Sequence, residues 1–207
     1  MWLLPLLTVT TAVRLAAGQV ELVELSYTYL DGAPTSPKLR PLELNVVKKG
    51  TNKFGIWVEL NEFCSSEHSG THIDAPVHFS RDGWSVDEIP VTRLYRRPGV
   101  MVDVSAQASK YQHLNNHEVG VRELERWEAA HGVIPDGAVV VVHTGWGRRA
   151  RNITAYAGTD ELETMNFPGL SLDAARWLAG HGHVHGHVDG IVGVGIDTLS
   201  LDVGSSV

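Results

Sequence analysis

The chain has 207 residues, 43% hydrophobic and 20% charged, which suits one domain with a real core rather than two. Its net charge of -7, from 24 acidic against 17 basic residues with no long basic block, argues against a nucleic-acid surface. It points instead to a soluble acidic protein with a small substrate.

The first residues, "MWLLPLLTVTTAVRLAAGQ", form an apolar run followed by Ala16, Ala17 and Gly18, small residues suited to signal peptidase. They are read as a secretory signal over residues 1–18, leaving one domain over 19–207 and placing the protein in the secretory pathway. The run falls short of the roughly 20 apolar residues that span a bilayer, so no membrane anchor is expected. Next, "VELVELSYTYL" and "FGIWVELNEF" alternate apolar with polar residues and are rich in Val, Ile, Tyr and Trp, as half-buried strands are. "DGAPTSPK" turns the chain between them. Cys64 is the only cysteine, so no disulfide forms within the chain, and it is read as a small buried apolar residue.

Beyond residue 99 the pattern becomes α/β, with buried strands separated by helices. "GVMVDVS" is the first strand. "VRELERWEAAHG" places Val121, Leu124 and Trp127 on one helical face and stops at Gly132. "IPDG" then turns into "AVVVVHT", a strand covered on both sides. Asn152-Ile153-Thr154 is an N-glycosylation sequon, usable on a secreted chain. A second helix starts at Ser171, whose hydroxyl caps it, and runs to Gly180. "GIVGVGID" is the last strand. Before it, "HGHVHGHVDG" carries His181, His183, His185 and His187 at alternate positions, and its Gly-rich composition reads as a flexible insertion with incidental metal affinity.

The densest chemistry lies in "SSEHSGTHIDAPVHF", residues 65–79. His68 and His72 are four apart, so one helical turn would bring both imidazoles to the same side. Asp74 precedes Ala75-Pro76, and proline pushes Ala75 toward an extended form. Gly70 lets the backbone approach closely. Two imidazoles and a carboxylate suit Zn²⁺ or Mn²⁺ with coordination positions left open, the composition of a catalytic rather than a structural site. His78 could serve as a proton shuttle, since an imidazole side chain can both take up and give up a proton near neutral pH.

"HSGTHIDAPVHF" resembles the HxGTHxDxPxH signature of the metal-dependent cyclase family, which includes bacterial-type kynurenine formamidases and isatin hydrolases. "VELSYTYLDGAP", "VVVHTGWG" and "GVGIDTLSLD" resemble further segments of that family, so the likeness covers about residues 20 to 202. The resemblance implies a swivelling β/β/α domain, an α/β fold with mixed sheet and flanking helices. It implies His68, His72 and Asp74 as metal ligands, His78 as catalytic acid and base, and Ser69 and Thr71 as supporting residues. Asp197 and Asp202 are expected to be structural. A homodimer is expected, as in relatives whose strands or loops cross between subunits.

The chain departs from the two-metal formamidases, in which a further His and a Glu follow the segment corresponding to "DTLSLD". A single ion in a C-terminally incomplete domain is therefore expected, and His143 stands where relatives often carry Arg. The activity implied is hydrolysis of a non-peptide C–N amide bond by a metal-activated water, with protonated His78 serving the leaving nitrogen. N-formylkynurenine, split to kynurenine and formate in tryptophan catabolism, is the first substrate expected. An isatin-type cyclic amide is the alternative, and a non-catalytic truncated member or a His-rich metal buffer are rivals of another class.

Overall fold

The computed structural model describes residues 23–29, 35–36, 39–110, 116–159 and 164–206. The leader expected over residues 1–18 lies outside them, and among the described residues no helix is long and apolar enough to cross a membrane. In chain order the elements are β1 (Glu43–Thr51), β2 (Trp57–Cys64), α1 (Val91–Leu94), β3 (Gly99–Asp103) and α2 (Ser105–Lys110). There follow β4 (Glu118–Val119), α3 (Val121–His131), β5 (Ala138–His143), α4 (Ile153–Ala157), β6 (Gly169–Leu170), α5 (Leu172–His185) and β7 (Ile191–Ile196).

β-Branched residues build the centre. The valine run of β5 is flanked by β3 and β7, both parallel to it, with Val100 opposite Val140 and Val142 opposite Ile196. Parallel neighbours need crossover connections, and helices supply them. One face of this sheet packs under α3 and α5, burying Val100, Val102, Val140 and Val142 against Leu124, Ala174 and Leu178. The alternate residues of β5, Val139, Val141 and His143, are only half-buried, and Met101 on the neighbouring strand is 60% exposed. The sheet is thus covered fully on one side, where the apolar run suggested both. The expected α/β class with flanking helices is realised with parallel and antiparallel pairing divided among separate sheets.

Helix ends follow local chemistry. Glu123 reaches back to accept from the Gly120 N–H at 3.1 Å, and Ser171 Oγ accepts from the Ala174 N–H at 3.1 Å. Each pairing satisfies an amide that the first helical turn leaves without a partner. α5 does not end at Gly180. It continues to His185 and closes on Gly186, whose φ is +68°, with the His187 N–H donating to the Gly182 carbonyl at 2.8 Å. This six-to-one bond around a left-handed glycine is a Schellman closure. The histidine tract is therefore helix as far as His185, and Gly182 has a packing reason: a Cβ there would lie 2.6 Å from the Gly190 Cα.

The β-rich first half differs more. β1 and β2 form an antiparallel hairpin whose residues are almost all exposed on both faces. Residues 23–29 join no sheet, although their alternation suggested a strand. Alternating apolar residues stabilise a strand only when a neighbouring strand and a packed face receive them. Within this chain Val23 and Leu25 remain 67% and 81% exposed. Cys64, expected to be buried, is exposed at the end of the hairpin.

Leu124 is fully buried beneath the sheet. Replacing it by alanine should lower unfolding free energy by about 2–5 kcal/mol, read as an earlier urea midpoint with unchanged slope.

Candidate metal centre

The chain leaves β2 at Cys64 and runs without regular structure to Ala75. Ser69 makes an antiparallel bridge with Thr35, and Gly70 takes a left-handed φ of +67°. That turn reverses the backbone between His68 and His72, replacing the helical turn that their spacing allowed. Ala75 is extended at φ -74°, ψ 151°, as the following proline requires, and Pro76–His78 forms a single 3₁₀ turn. The Val77 N–H donates to the Trp84 carbonyl at 3.0 Å. A Cβ on Gly83 would lie 2.7 Å from the Pro76 carbonyl carbon, so the return of the chain clamps this turn.

The result brings the four sequence-derived candidates together. Asp74 Oδ1 lies 2.7 Å from His68 Nδ1 and 3.2 Å from His72 Nε2. The other His72 nitrogen, Nδ1, pairs with the Gly70 carbonyl at 2.8 Å. A carbonyl only accepts, so Nδ1 carries a proton, and Nε2 is the ring atom that faces Asp74. The His78 ring stacks on His68 with centroids 3.9 Å apart. His68, Asp74 and His78 each offer a ligand atom within 4.8 Å of the others. His68 is part-buried, whereas His72, Asp74 and His78 are exposed, so the centre opens to solvent.

Asp74 lies at a ligand-to-ligand distance from both imidazoles, while the set whose ligand atoms all lie within 4.8 Å of one another is His68, Asp74 and His78, so His72 would have to draw closer to His68 to share one ion. Ligands bound at about 2.0–2.2 Å stand roughly 3 Å apart around one ion, close to the separations of Asp74 from the two imidazoles. An imidazole whose far nitrogen donates to a backbone carbonyl is the usual state of a metal-binding histidine.

Aromatic residues tie the centre to the rest of the domain. The Tyr27 N–H meets Thr71 Oγ1 at 3.4 Å, while the Tyr27 hydroxyl donates to the Gly147 carbonyl at 2.7 Å. Tyr29 donates to Ser65 Oγ at 2.7 Å. Residues 23–29 therefore strap the histidine loop to the turn after β5. Asp197, just past β7, holds that turn: its Oδ1 accepts from Thr144 N and Oγ1, both at 2.7 Å, and its Oδ2 accepts from Gly147 N at 3.1 Å. This agrees with a structural role for Asp197. Burial, followed by the nearby Asp197 charge, pushes the Tyr156 hydroxyl well above its ordinary pKa. Asp202 makes a parallel bridge with Leu170, and its N–H donates to Ser200 Oγ at 3.3 Å.

One grouping was not anticipated. Asp103 ends β3, His143 ends β5, and Asp197 follows β7. His143 Nδ1 lies 3.4 Å from Asp103 Oδ1, and its Nε2 lies 4.0 Å from Asp197 Oδ2. Hydrogen bonds from Ser105, with a smaller effect of His143, keep the Asp103 carboxyl below its usual range. The available signal was a polar residue closing each apolar strand, since the carboxyl ends of parallel strands are where such sheets bind ligands.

The sequence profile of the family described as "Putative cyclase" matches residues 23–203. The chain belongs to this cyclase family. It is 28% identical over 204 residues to an isatin hydrolase of Roseibium aggregatum, spanning 93% of this chain and 72% of that protein. A kynurenine formamidase of Salinibacter ruber is 33% identical over 81 residues, covering 38% of each chain. Among solved structures, isatin hydrolase A from Ralstonia solanacearum superposes with a TM-score of 0.77 at 30% identity, covering 97% of this chain and 78% of that one. The α/β fold of the cyclase type, with mixed strand pairing and flanking helices, expected from the sequence is thus found.

If one ion is held here, His72→Ala and Asp74→Ala should each lose one equivalent of tightly bound Zn²⁺ per chain. Elemental analysis after dialysis, with circular dichroism to establish folding, checks this.

Proposed function

We propose that this cyclase-family chain is a metal-dependent hydrolase of a non-peptide amide C–N bond. The observation that carries the reading is Asp74 Oδ1 beside both His68 and His72, with His78 stacked on the same cluster. His68, His72 and Asp74 would hold the ion. A bound Zn²⁺ or Mn²⁺ would supply Lewis acidity and would make a bound water far more acidic than bulk water.

His78 supplies what an amide needs in order to part: a proton on the departing nitrogen, without which an anilide anion would have to leave. Its ring lies on the open side of the cluster and contacts Phe79, centroid to centroid at 4.1 Å. Phe79 is 88% exposed and offers an apolar surface on which an aryl group next to the scissile bond can rest. An aromatic amide is thus the substrate class we favour.

A cyclic aryl amide of the isatin type is the first reading, because likeness to an isatin hydrolase extends over 93% of the chain. The open amide of N-formylkynurenine is the second, supported by the formamidase segment. In the cyclic case the nitrogen stays tethered to the product after C–N cleavage. In the open case formate departs.

We further propose a homodimer. The hairpin of β1 and β2 exposes Val46, Trp57 and Phe63 at 52%, 60% and 71%, and an isolated two-stranded hairpin is at best marginally stable in water. Because β2 leads into the histidine loop, a second copy resting on the hairpin would also narrow the open side of the centre. Secretion and glycosylation at Asn152 are part of the same proposal. Asn152 caps α4 through Oδ1, which accepts from the Ala155 N–H at 3.0 Å, and a glycan attached at Nδ2 would leave that contact in place.

Metal-loaded protein should hydrolyse isatin faster than N-formylkynurenine, and turnover of neither would remove the enzymatic reading. His78→Ala should retain its metal yet lose about 10²–10⁴ in kcat. Light scattering should give twice the chain mass, falling to the single-chain value in Trp57→Glu/Phe63→Glu.

A further inference from the structure

The histidine tract holds a second constellation that the amide chemistry leaves unused. His181, 2% exposed, sits on the face of α5 that meets α3, and its Nε2 lies 2.8 Å from Glu128 Oε1. One turn later His185 comes over the same face, its ring centroid 4.5 Å from that of His181. Glu128, His181 and His185 each present a ligand atom within 4.8 Å of the other two. The same Glu128 oxygen accepts from the Ile134 N–H at 2.8 Å, which fixes the carboxylate. Although burial opposes ionisation, that backbone bond and His181 keep the Glu128 carboxyl below its usual range.

Two further imidazole nitrogens beside the cluster stand idle, and an ion shared by His181 Nε2 and Glu128 would leave them so. His181 Nδ1 is buried with no hydrogen-bond partner, and so is His187 Nδ1. The Schellman closure at Gly186 folds His187 back until its ring centroid stands 5.7 Å from His181 and 5.9 Å from His185. An idle buried polar group is costly, and evolved interiors leave few of them. A cavity of about 190 Å³, lined by Arg176, Trp177, Gly180, His181, Val184 and His185, gives access to the cluster.

We propose that Glu128, His181 and His185 form a second metal site, for Zn²⁺ or a similar borderline transition ion, that clamps α3 to α5. Two imidazoles and one carboxylate match this class of ion, whereas Mg²⁺ and Ca²⁺ demand mostly oxygen donors. The 2.8 Å between Glu128 and His181 widens by only a few tenths of an ångström to reach the roughly 3.3 Å edge of a tetrahedral centre. α3 leads into β5 and α5 into β7, so the cluster lies at the amino-terminal edge of the parallel sheet. The histidine loop is strapped to the turn after β5, at the opposite edge. The two centres are separate. His183, two residues from each helical ligand, lies on the other side of α5 and is exposed, so it makes a matched control.

The full chain, stripped with EDTA and dialysed against Zn²⁺, is assayed for bound zinc per chain and for its melting temperature. His185→Gln, at an exposed position near the helix end, should lose one equivalent and the zinc-dependent rise in melting temperature. His183→Gln should lose neither. The Asp74→Ala variant should still bind the equivalent that His185→Gln removes. An unchanged count in His185→Gln overturns the proposal, as does an equal loss in His183→Gln, which would mean diffuse affinity of the tract.

Discussion

The carboxylate of Asp74 stands within hydrogen-bonding distance of two imidazoles that the chain delivers from opposite sides of a left-handed turn. Everything proposed for the histidine loop depends on that convergence. It is assembled from three constraints: Gly70 accepts a positive φ, Pro76 forces Ala75 to be extended, and the Gly70 carbonyl fixes the His72 tautomer. None of the three involves a helix. A residue with a Cβ at position 70 would meet the left-handed penalty of about 1–2 kcal/mol, and His68 and His72 would lose the reversal that faces them toward Asp74.

The loop has little regular structure of its own, so its position comes from elsewhere. Tyr27 and Tyr29 tie it down, and Tyr27 reaches the turn that Asp197 holds beneath the end of β5. This chain of contacts runs from a rigid valine-rich sheet, through one part-buried carboxylate, to an exposed binding loop. Such an arrangement is common where chemistry is carried on a loop and precision on the scaffold. The polar residues closing the three parallel strands, Asp103, His143 and the following Asp197, lie at the same edge and give it a charged floor.

The two ends of the parallel sheet have different characters. At the carboxyl edge, the imidazoles and carboxylates of the histidine loop stand open to solvent. At the amino edge, Glu128 and His181 are packed between helices and hold helix ends together. The same residue types thus occur in an open group at one edge and a more buried group at the other, and burial is what distinguishes them.

Much of the second half is legible in the amino-acid order alone. Valine runs too short for helices became β3, β5 and β7, and Gly132 and Ser171 marked helix ends, because burial periodicity and capping are local properties. The motif likewise named His68, His72, Asp74 and His78, the residues that converge. Three features of the histidine-bearing segments were not legible. The local conformation of the loop turned on the left-handed Gly70, which helical spacing of histidines does not reveal. The tract after Gly180 read as an insertion because the reason for Gly182, its close approach to Gly190, depends on where the chain returns after the helix. Glu128 looked like one more charge on a helix until α5 brought His181 against it. Local sequence determined most strands and helices of the second half and which side chains could carry chemistry, since propensity and spacing act over a few residues. Tertiary structure alone decided which of those side chains meet and which are shielded from water, since both depend on contacts between residues far apart in the chain.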